Sequence, residues 1–235
     1  MSDDPETLRQ IEELAADDRP LLVLDVDDVL LEFIRPFPRF LEAQGYELSL
    51  SSFQLNGNIR EIATGVAAEK ERVGELIDAF FHAQADWQSV TEGAADAIAS
   101  LDGRAEIVML THMPHRFRAA RRAHLDGLGL HYPLLTTEMP KGPAIKRLRG
   151  EAGRPVAFVD DQPRNLLSAR ESVPDVFLVH LMAEPKLREL MPPPPDGILV
   201  TDDWRDAAPK IASICISSSS ESLKPSGPNS LMPLS

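Results

Sequence analysis

Two rhythms of apolar and polar positions run along this chain, and the switches between them lay out its elements. Within residues 5–16, Leu8, Ile11, Leu14 and Ala15 recur at helical spacing, which predicts a short amphipathic lead-in helix packed on the outside of a domain. Next, Leu21-Leu22-Val23-Leu24 follows Arg19-Pro20 and breaks off at Asp25-Val26-Asp27-Asp28. An apolar run of this length without alternation marks a strand buried on both faces, as in a parallel sheet. Three similar runs come later. Glu106-Ile107-Val108-Met109-Leu110 leads into Thr111-His112, Leu134-Leu135-Thr136-Thr137 precedes Lys141, and Val156-Ala157-Phe158-Val159 ends in Asp160-Asp161. Val176-Phe177-Leu178-Val179 reads as a further strand, and Ile198-Leu199-Val200 as a weaker one beyond the proline run at 192–195.

Helical periodicity fills the intervals, at residues 92–101, 116–128, 142–149 and 165–170. Strands that alternate with helices imply parallel βαβ units, so the chain is read as α/β, with a Rossmann-like three-layer α/β/α core. Between the first and second strands lies a long segment, 33–88, with helical patterns at 34–44, 58–67 and 69–84, a turn at Asn56-Gly57 and no strand. A length of 235 residues at 43% hydrophobic content suits one such domain plus this modest insertion. The expected division is a lead-in helix at 1–18, a core at 19–32 and 89–214, a helical insertion at 33–88, and a tail at 215–235. The tail is rich in Ser and Pro and is expected to be disordered, because it offers too little apolar surface to offset the entropy of ordering.

The formal net charge of −13 argues against binding to nucleic acid polymers or anionic membranes, which attract proteins of the opposite sign. Arg116, Arg118, Arg121 and Arg122 crowd the helix after the second strand and are read as a solvated face, not a docking patch. No apolar stretch is long enough to span a membrane, and the acidic start is unlike a secretion signal, so a cytoplasmic location is expected. Cys215, the sole cysteine, permits no internal disulfide.

The candidate chemistry sits where apolar runs end in polar groups. Open α/β sheets bind ligands at the carboxyl ends of their strands, and alternate side chains share a face, so Asp25 and Asp27 are expected to face one pocket. Grouped carboxylates repel unless a cation relieves them, and a hard ion such as Mg²⁺ suits oxygen ligands. An Asp-x-Asp, a Thr, a Lys and an acidic pair, each after a core strand, together resemble the haloacid dehalogenase superfamily over residues 21–181. That resemblance implies Asp25 as a covalent nucleophile on phosphorus and Asp27 as the acid and base that serves the leaving group and then the attacking water. It implies Thr111 and Lys141 as phosphate-binding groups. The metal would bind the Asp25 side chain, the Asp27 backbone carbonyl and Asp161, with Asp160 as a supporting or additional ligand and Asn165 close by. The insertion would be a mobile helical cap that selects the substrate, drawing on residues such as Phe33, Arg35, Phe37, Arg39 and Arg60, while a second cap is not expected. In this family the second Asp of the motif favours phosphate-ester hydrolysis over carbon–halogen cleavage.

The reading is therefore a Mg²⁺-dependent phosphomonoesterase acting on a small phosphorylated metabolite. A phosphotransferase of the same fold and a non-catalytic phosphate-binding regulator stand as alternatives. Asp28 and Val29 occupy positions where the family often has Gly and Thr. His112 and His115 match no metal-binding spacing and are read as structural.

Overall fold

Leu21, Leu22, Val23 and Leu24 are each no more than 1% exposed, so β1 (Leu21–Leu24) is apolar throughout because no face of it meets water. The structure, a computed structural model, describes residues 4–49, 54–191 and 193–221. Helix α1 (Pro5–Glu12) precedes β1. After β1 come α2 (Phe37–Ala43), β2 (Tyr46–Leu48), β3 (Ile59–Glu61), α3 (Lys70–His82), α4 (Gln84–Trp87) and α5 (Ala94–Leu101). Strand β4 (Glu106–His112) then runs through a 3₁₀ turn (His115–Phe117) into α6 (Arg118–Gly127). The rest alternates: β5 (Leu134–Thr137), α7 (Lys141–Arg149), β6 (Val156–Asp160), α8 (Pro163–Ser172), β7 (Phe177–Leu181), α9 (Pro185–Leu190), β8 (Leu199–Thr201) and α10 (Trp204–Glu221).

Six strands form one parallel sheet in the order β5-β4-β1-β6-β7-β8, which puts β1 at the centre, where strand order reverses. Side chains of β1 divide by parity. Leu22 and Leu24 join Ile98, Leu125, Trp204 and Ile211 on one face, whereas Leu21 and Val23 join Ile145, Leu148, Leu166 and Ala169 on the other. The expected three-layer α/β/α core is therefore observed, with α5, α6 and α10 on one side and α1, α7 and α8 on the other. Helix α1 also protects the β5 edge of the sheet. Thr7 Oγ1 donates to the Thr136 carbonyl at 2.8 Å, and Gln10 Oε1 accepts from Thr136 N–H at 2.8 Å, so edge groups that would invite a foreign strand are satisfied from within.

The segment between β1 and β4 departs from the mostly helical expectation. Strands β2 and β3 pair antiparallel, Tyr46 with Glu61 and Leu48 with Ile59, so part of the 58–67 stretch is strand and turn, not helix. Gly57 (φ +83°) and Gly65 (φ +69°) stand on either side of β3 in the left-handed region, which breaks helical continuity there. Around this hairpin, Phe37, Phe40, Leu41, Ile59, Val73, Leu76 and Phe80 form a separate apolar cluster. The segment's two connections run side by side: Glu32 N–H donates to Ser89 O and Thr91 N–H to Leu30 O, each at 2.9 Å.

Helix α10 extends to Glu221, past residue 215 where the Ser/Pro-rich tail was expected to begin, and 222–235 lie outside the described residues. No described helix is long and apolar enough to cross a membrane.

Candidate active site

Where β1 ends, the chain turns sharply, and each residue of Asp25-Val26-Asp27-Asp28 has a separate task. Asp25 remains hydrogen-bonded to the sheet, its N–H donating to Val159 O at 2.9 Å, while its side chain emerges at the strand's carboxyl end. Val26 packs back into the apolar layer. Asp28 adopts φ +59°, the left-handed conformation that glycine takes at least cost. Its Oδ1 accepts from Phe33 N–H and Ile34 N–H, both at 2.9 Å, so this side chain also fastens the entry to the insertion. Trp204 closes the turn from the far end of the chain, donating Nε1–H to Val29 O at 2.8 Å.

Lys141, at the start of α7, is wholly buried and reaches both neighbouring strand ends. Its Nζ lies 2.6 Å from Asp25 Oδ1 and 2.6 Å from Asp160 Oδ2. Burial alone would lower its pKa, but Asp160 and Asp25 together hold it above the ordinary lysine value. Asp25 Oδ1 also accepts from Val26 N–H at 2.7 Å, which fixes the carboxylate's rotation and leaves Oδ2 without a hydrogen-bond partner among the described residues. Burial, with the nearby Asp160 charge adding to it and Lys141 opposing, pushes Asp25 up to about 7. Asp161 is raised well above the ordinary aspartate value, first by burial and then by Asp160 and Asp25. The two acids of the pair are not equivalent. Asp160 is enclosed by donors from Lys141, Gln162 N–H and both contacts of Asn165 Nδ2, at 2.6 to 3.1 Å, while the Asp161 carboxylate accepts, among the described residues, only from Gln162 Nε2. His180 Nε2 steadies the pair, donating to the Asp161 carbonyl at 2.9 Å.

Thr111 ends up buried near the end of β4, its Oγ1 with no hydrogen-bond partner among the described residues. It lines a cleft of about 640 Å³ together with Asp25, Asp27, Asp161 and Asn165, and the insertion supplies Phe33, Leu55, Ile77 and Phe81 as the facing wall. Lys141 is not on that wall; it lies beneath the acids. His112 lines the cleft, whereas His115 is structural as expected, with Nδ1 2.7 Å from Thr136 Oγ1 and Nε2 3.1 Å from Asp4.

Of the four arginines around α6, Arg121 departs from the expected solvated face, whereas Arg116 is exposed and Arg118 and Arg122 are half-buried. Arg121 is fully buried and pairs with Asp27, Nη1 to Oδ1 at 2.9 Å and Nη2 to Oδ2 at 3.3 Å. Arg118 donates to Leu134 O, Arg122 to Tyr132 O and Leu130 O, and Arg116 pairs with Asp78 of the insertion. A signal was present in the sequence: Arg121 falls in the helical phase of Phe117 and Leu125, both buried, so it occupies the apolar stripe of its helix. Of the insertion residues named as possible substrate contacts, Phe33 lines the cleft and Phe37 is core. Arg35 pairs with Glu32 and Glu184, Arg39 is exposed, and Arg60 donates to Gly65 O.

No protein-family model matches the chain, and none of the curated proteins does. Solved structures do match. A conserved haloacid dehalogenase-like protein of unknown function from Agrobacterium tumefaciens superposes with a TM-score of 0.57 at 14% identity, covering 83% of this chain and 98% of that one. A HAD family hydrolase from Deinococcus radiodurans, with bound phosphate and sodium, gives 0.58 at 12% identity over 84% and 96%. A predicted phosphoglycolate phosphatase from Haemophilus somnus gives 0.56 at 11% identity over 84% and 99%. This chain has the haloacid dehalogenase-like fold. On that haloacid dehalogenase-like sheet, the carboxyl ends of four strands bring together Asp25, Thr111, Lys141, Asp160 and Asp161, residues that the sequence singled out separately.

The site also fits a divalent cation. Asp25, Asp160 and Asp161 are buried and offer oxygens that lie within 4.8 Å of one another. Three such carboxylates around one lysine leave an excess of buried negative charge, and their hard oxygen donors are of the type that Mg²⁺ takes. Asp161, with fewer donors than Asp160, is the more available of the pair.

Proposed function

We propose that this protein is a Mg²⁺-dependent phosphomonoesterase acting on a small phosphorylated metabolite through an aspartyl phosphate on Asp25. One observation carries the reading: a carboxylate whose rotation is fixed by Lys141 and Val26 N–H, beside two further acids and a buried hydroxyl that lacks a partner. The phosphate held by the Deinococcus radiodurans protein of the same fold supports it.

Asp25 attacks phosphorus, a new P–O bond forms, and the ester P–O bond breaks with its electron pair leaving on the alkoxide. Asp27 gives that alkoxide a proton. Water then attacks the phosphoaspartate, Asp27 takes the water's proton, and the bond to Asp25 breaks to release inorganic phosphate. Thr111 Oγ1 donates to a phosphoryl oxygen, the partner that its buried hydroxyl lacks. Lys141 keeps Asp25 oriented and offsets its charge. A Mg²⁺ ion, held by Asp25, Asp161 and the Asp27 carbonyl, with Asp160 supporting, would neutralise charge between carboxylate and phosphoryl oxygens. The insertion acts as the cap, and its Phe33, Ile77 and Phe81 present an apolar wall to the leaving group. An apolar wall of this kind also suits a second reading, in which another hydroxyl takes the phosphoryl group in place of water.

The test is phosphate release from a panel of sugar, nucleotide and other phosphomonoesters, with Mg²⁺ or a chelator, for wild type and Asp25→Asn. Turnover that needs both Mg²⁺ and Asp25 is expected. Its absence across the panel overturns the proposal, and transfer to an added alcohol in preference to water selects the phosphotransferase.

A further inference from the structure

The contact between Arg121 and Asp27 has no place in the mechanism above, yet it draws a wholly buried guanidinium onto a half-buried carboxylate. Arg121 exposes no surface, and its guanidinium carbon lies 5.5 Å from the centre of the Phe81 ring on the insertion. Gln88, 4% exposed, adds Nε2 to Asp27 Oδ1 at 2.9 Å and to Glu32 O at 3.3 Å. Neither group is otherwise well satisfied: Arg121 Nε and Gln88 Oε1 are buried without a hydrogen-bond partner. Burying a guanidinium and an amide on these terms costs stability, and a well-packed apolar pair would do better. What the arrangement does achieve is a fixed carboxylate.

The donors are distributed unevenly. Asp27 Oδ1 receives two at 2.9 Å, from Arg121 Nη1 and Gln88 Nε2, whereas Oδ2 receives one, from Arg121 Nη2 at 3.3 Å. A carboxylate oxygen that already accepts two N–H groups has little room for a proton, so exchange is directed to the other oxygen.

We infer that Arg121 is a positioning residue for proton transfer: with Gln88 it clamps Asp27 by Oδ1 and presents Oδ2 to the leaving-group oxygen. The inference rests on the phosphomonoesterase reading. Arg121 touches no substrate and acts through Asp27. Phe81 covers the guanidinium from the insertion side, so the clamp is complete only with the insertion in place over the cleft.

A phosphoryl group leaves p-nitrophenolate without needing a proton, but leaves an alkoxide only when the oxygen is protonated. The value of kcat/KM covers steps up to formation of the phosphoaspartate and is therefore the quantity to compare on an alkyl phosphate and on p-nitrophenyl phosphate. Arg121→Met is expected to lower it about a hundredfold for the alkyl ester, the lower part of the range that general acids supply, and less than about threefold for p-nitrophenyl phosphate. Arg121→Lys, which restores one charged donor, recovers a good part of the alkyl-ester loss. Gln88→Leu gives the same selectivity with a smaller loss and serves if Arg121→Met does not fold. In an Asp27→Asn background, Arg121→Met has no further effect on the alkyl ester, because the group it positions is already gone. Equal losses on both substrates, or additive effects in the double variant, overturn the inference while leaving the phosphatase intact. Failure of the reading beneath it shows differently, as absence of Asp25-dependent turnover in the wild type.

Discussion

Gly142 meets Ser168 twice: its N–H donates to Ser168 Oγ at 3.1 Å, and a β-carbon placed on it would stand 2.0 Å from the Ser168 carbonyl oxygen. Helices α7 and α8 therefore pack at a separation that only glycine allows. Because Gly142 follows Lys141 directly, this contact also determines how far Lys141 reaches beneath Asp25 and Asp160. Gly142→Ala is expected to cost at least about 2–3 kcal/mol, because backbone blocks the added methyl group, and to lower kcat more than KM. Urea unfolding and steady-state kinetics check the two parts separately.

Lys141 sits among three buried carboxylates, with its Nζ at 2.6 Å from two of them. Lys141→Met removes the compensating charge and leaves the acids in place. A loss of about 3–5 kcal/mol at neutral pH is expected in chelator, read by chemical denaturation. Lys141→Arg is not expected to restore activity, since the slot is fully enclosed and a guanidinium is bulkier than an ammonium.

Asp25 is pushed up to about 7 by burial above all, and Asp161 is raised for the same main reason. A carboxylate whose folded-state pKa lies above its unfolded one favours the folded state while protonated. In chelator, stability should fall as pH rises from about 4 through about 7. A divalent ion binds only the ionised carboxylates, so it competes with protons. The increase in Tm on adding Mg²⁺ should be larger at about pH 8 than at about pH 5, measured by thermal denaturation. An equal increase at both values would show that the ion binds elsewhere.

How far the sequence could be read follows from the range of the interactions involved. Strand β1 and its acids were legible because a strand buried on both faces has no reason to carry a polar residue until it ends. The later strands and the helices between them repeated that pattern, and the order of their terminal polar groups pointed to one site. The β2–β3 hairpin escaped because each strand has three residues, too few for alternation to register. Arg121 is hidden from a reading by charge alone, whereas its phase on α6, shared with Phe117 and Leu125, marks it as buried. Contacts such as Trp204 with Val29 or Gln88 with Asp27 join residues 175 and 61 positions apart, and nothing local encodes them.

Asp4 links the start of the chain to the edge of the sheet. Its carboxylate caps α1 by accepting from Glu6 N–H and Thr7 N–H at 3.2 Å, accepts from Glu138 N–H at 2.9 Å, and lies 3.1 Å from His115 Nε2. Burial works against its charge, but the hydrogen bonds from Glu138 and Thr7 and the neighbouring His115 outweigh it and hold Asp4 at about 2. A depressed carboxylate contributes stability above its unfolded value of about 3.9 and loses it as pH falls toward its folded one. After allowance for solvent screening, that contribution is about 1 kcal/mol. Asp4→Asn should therefore melt below wild type at neutral pH, and the gap should close as pH falls from about 4 to about 2. Helix α1 covers Thr136 on the exposed edge of β5, so amide exchange at Thr136 should quicken in the variant before the central strands respond. If exchange at Leu22 and Val23 rises equally, α1 is coupled to the whole sheet, and the edge-protecting role given to it is wrong.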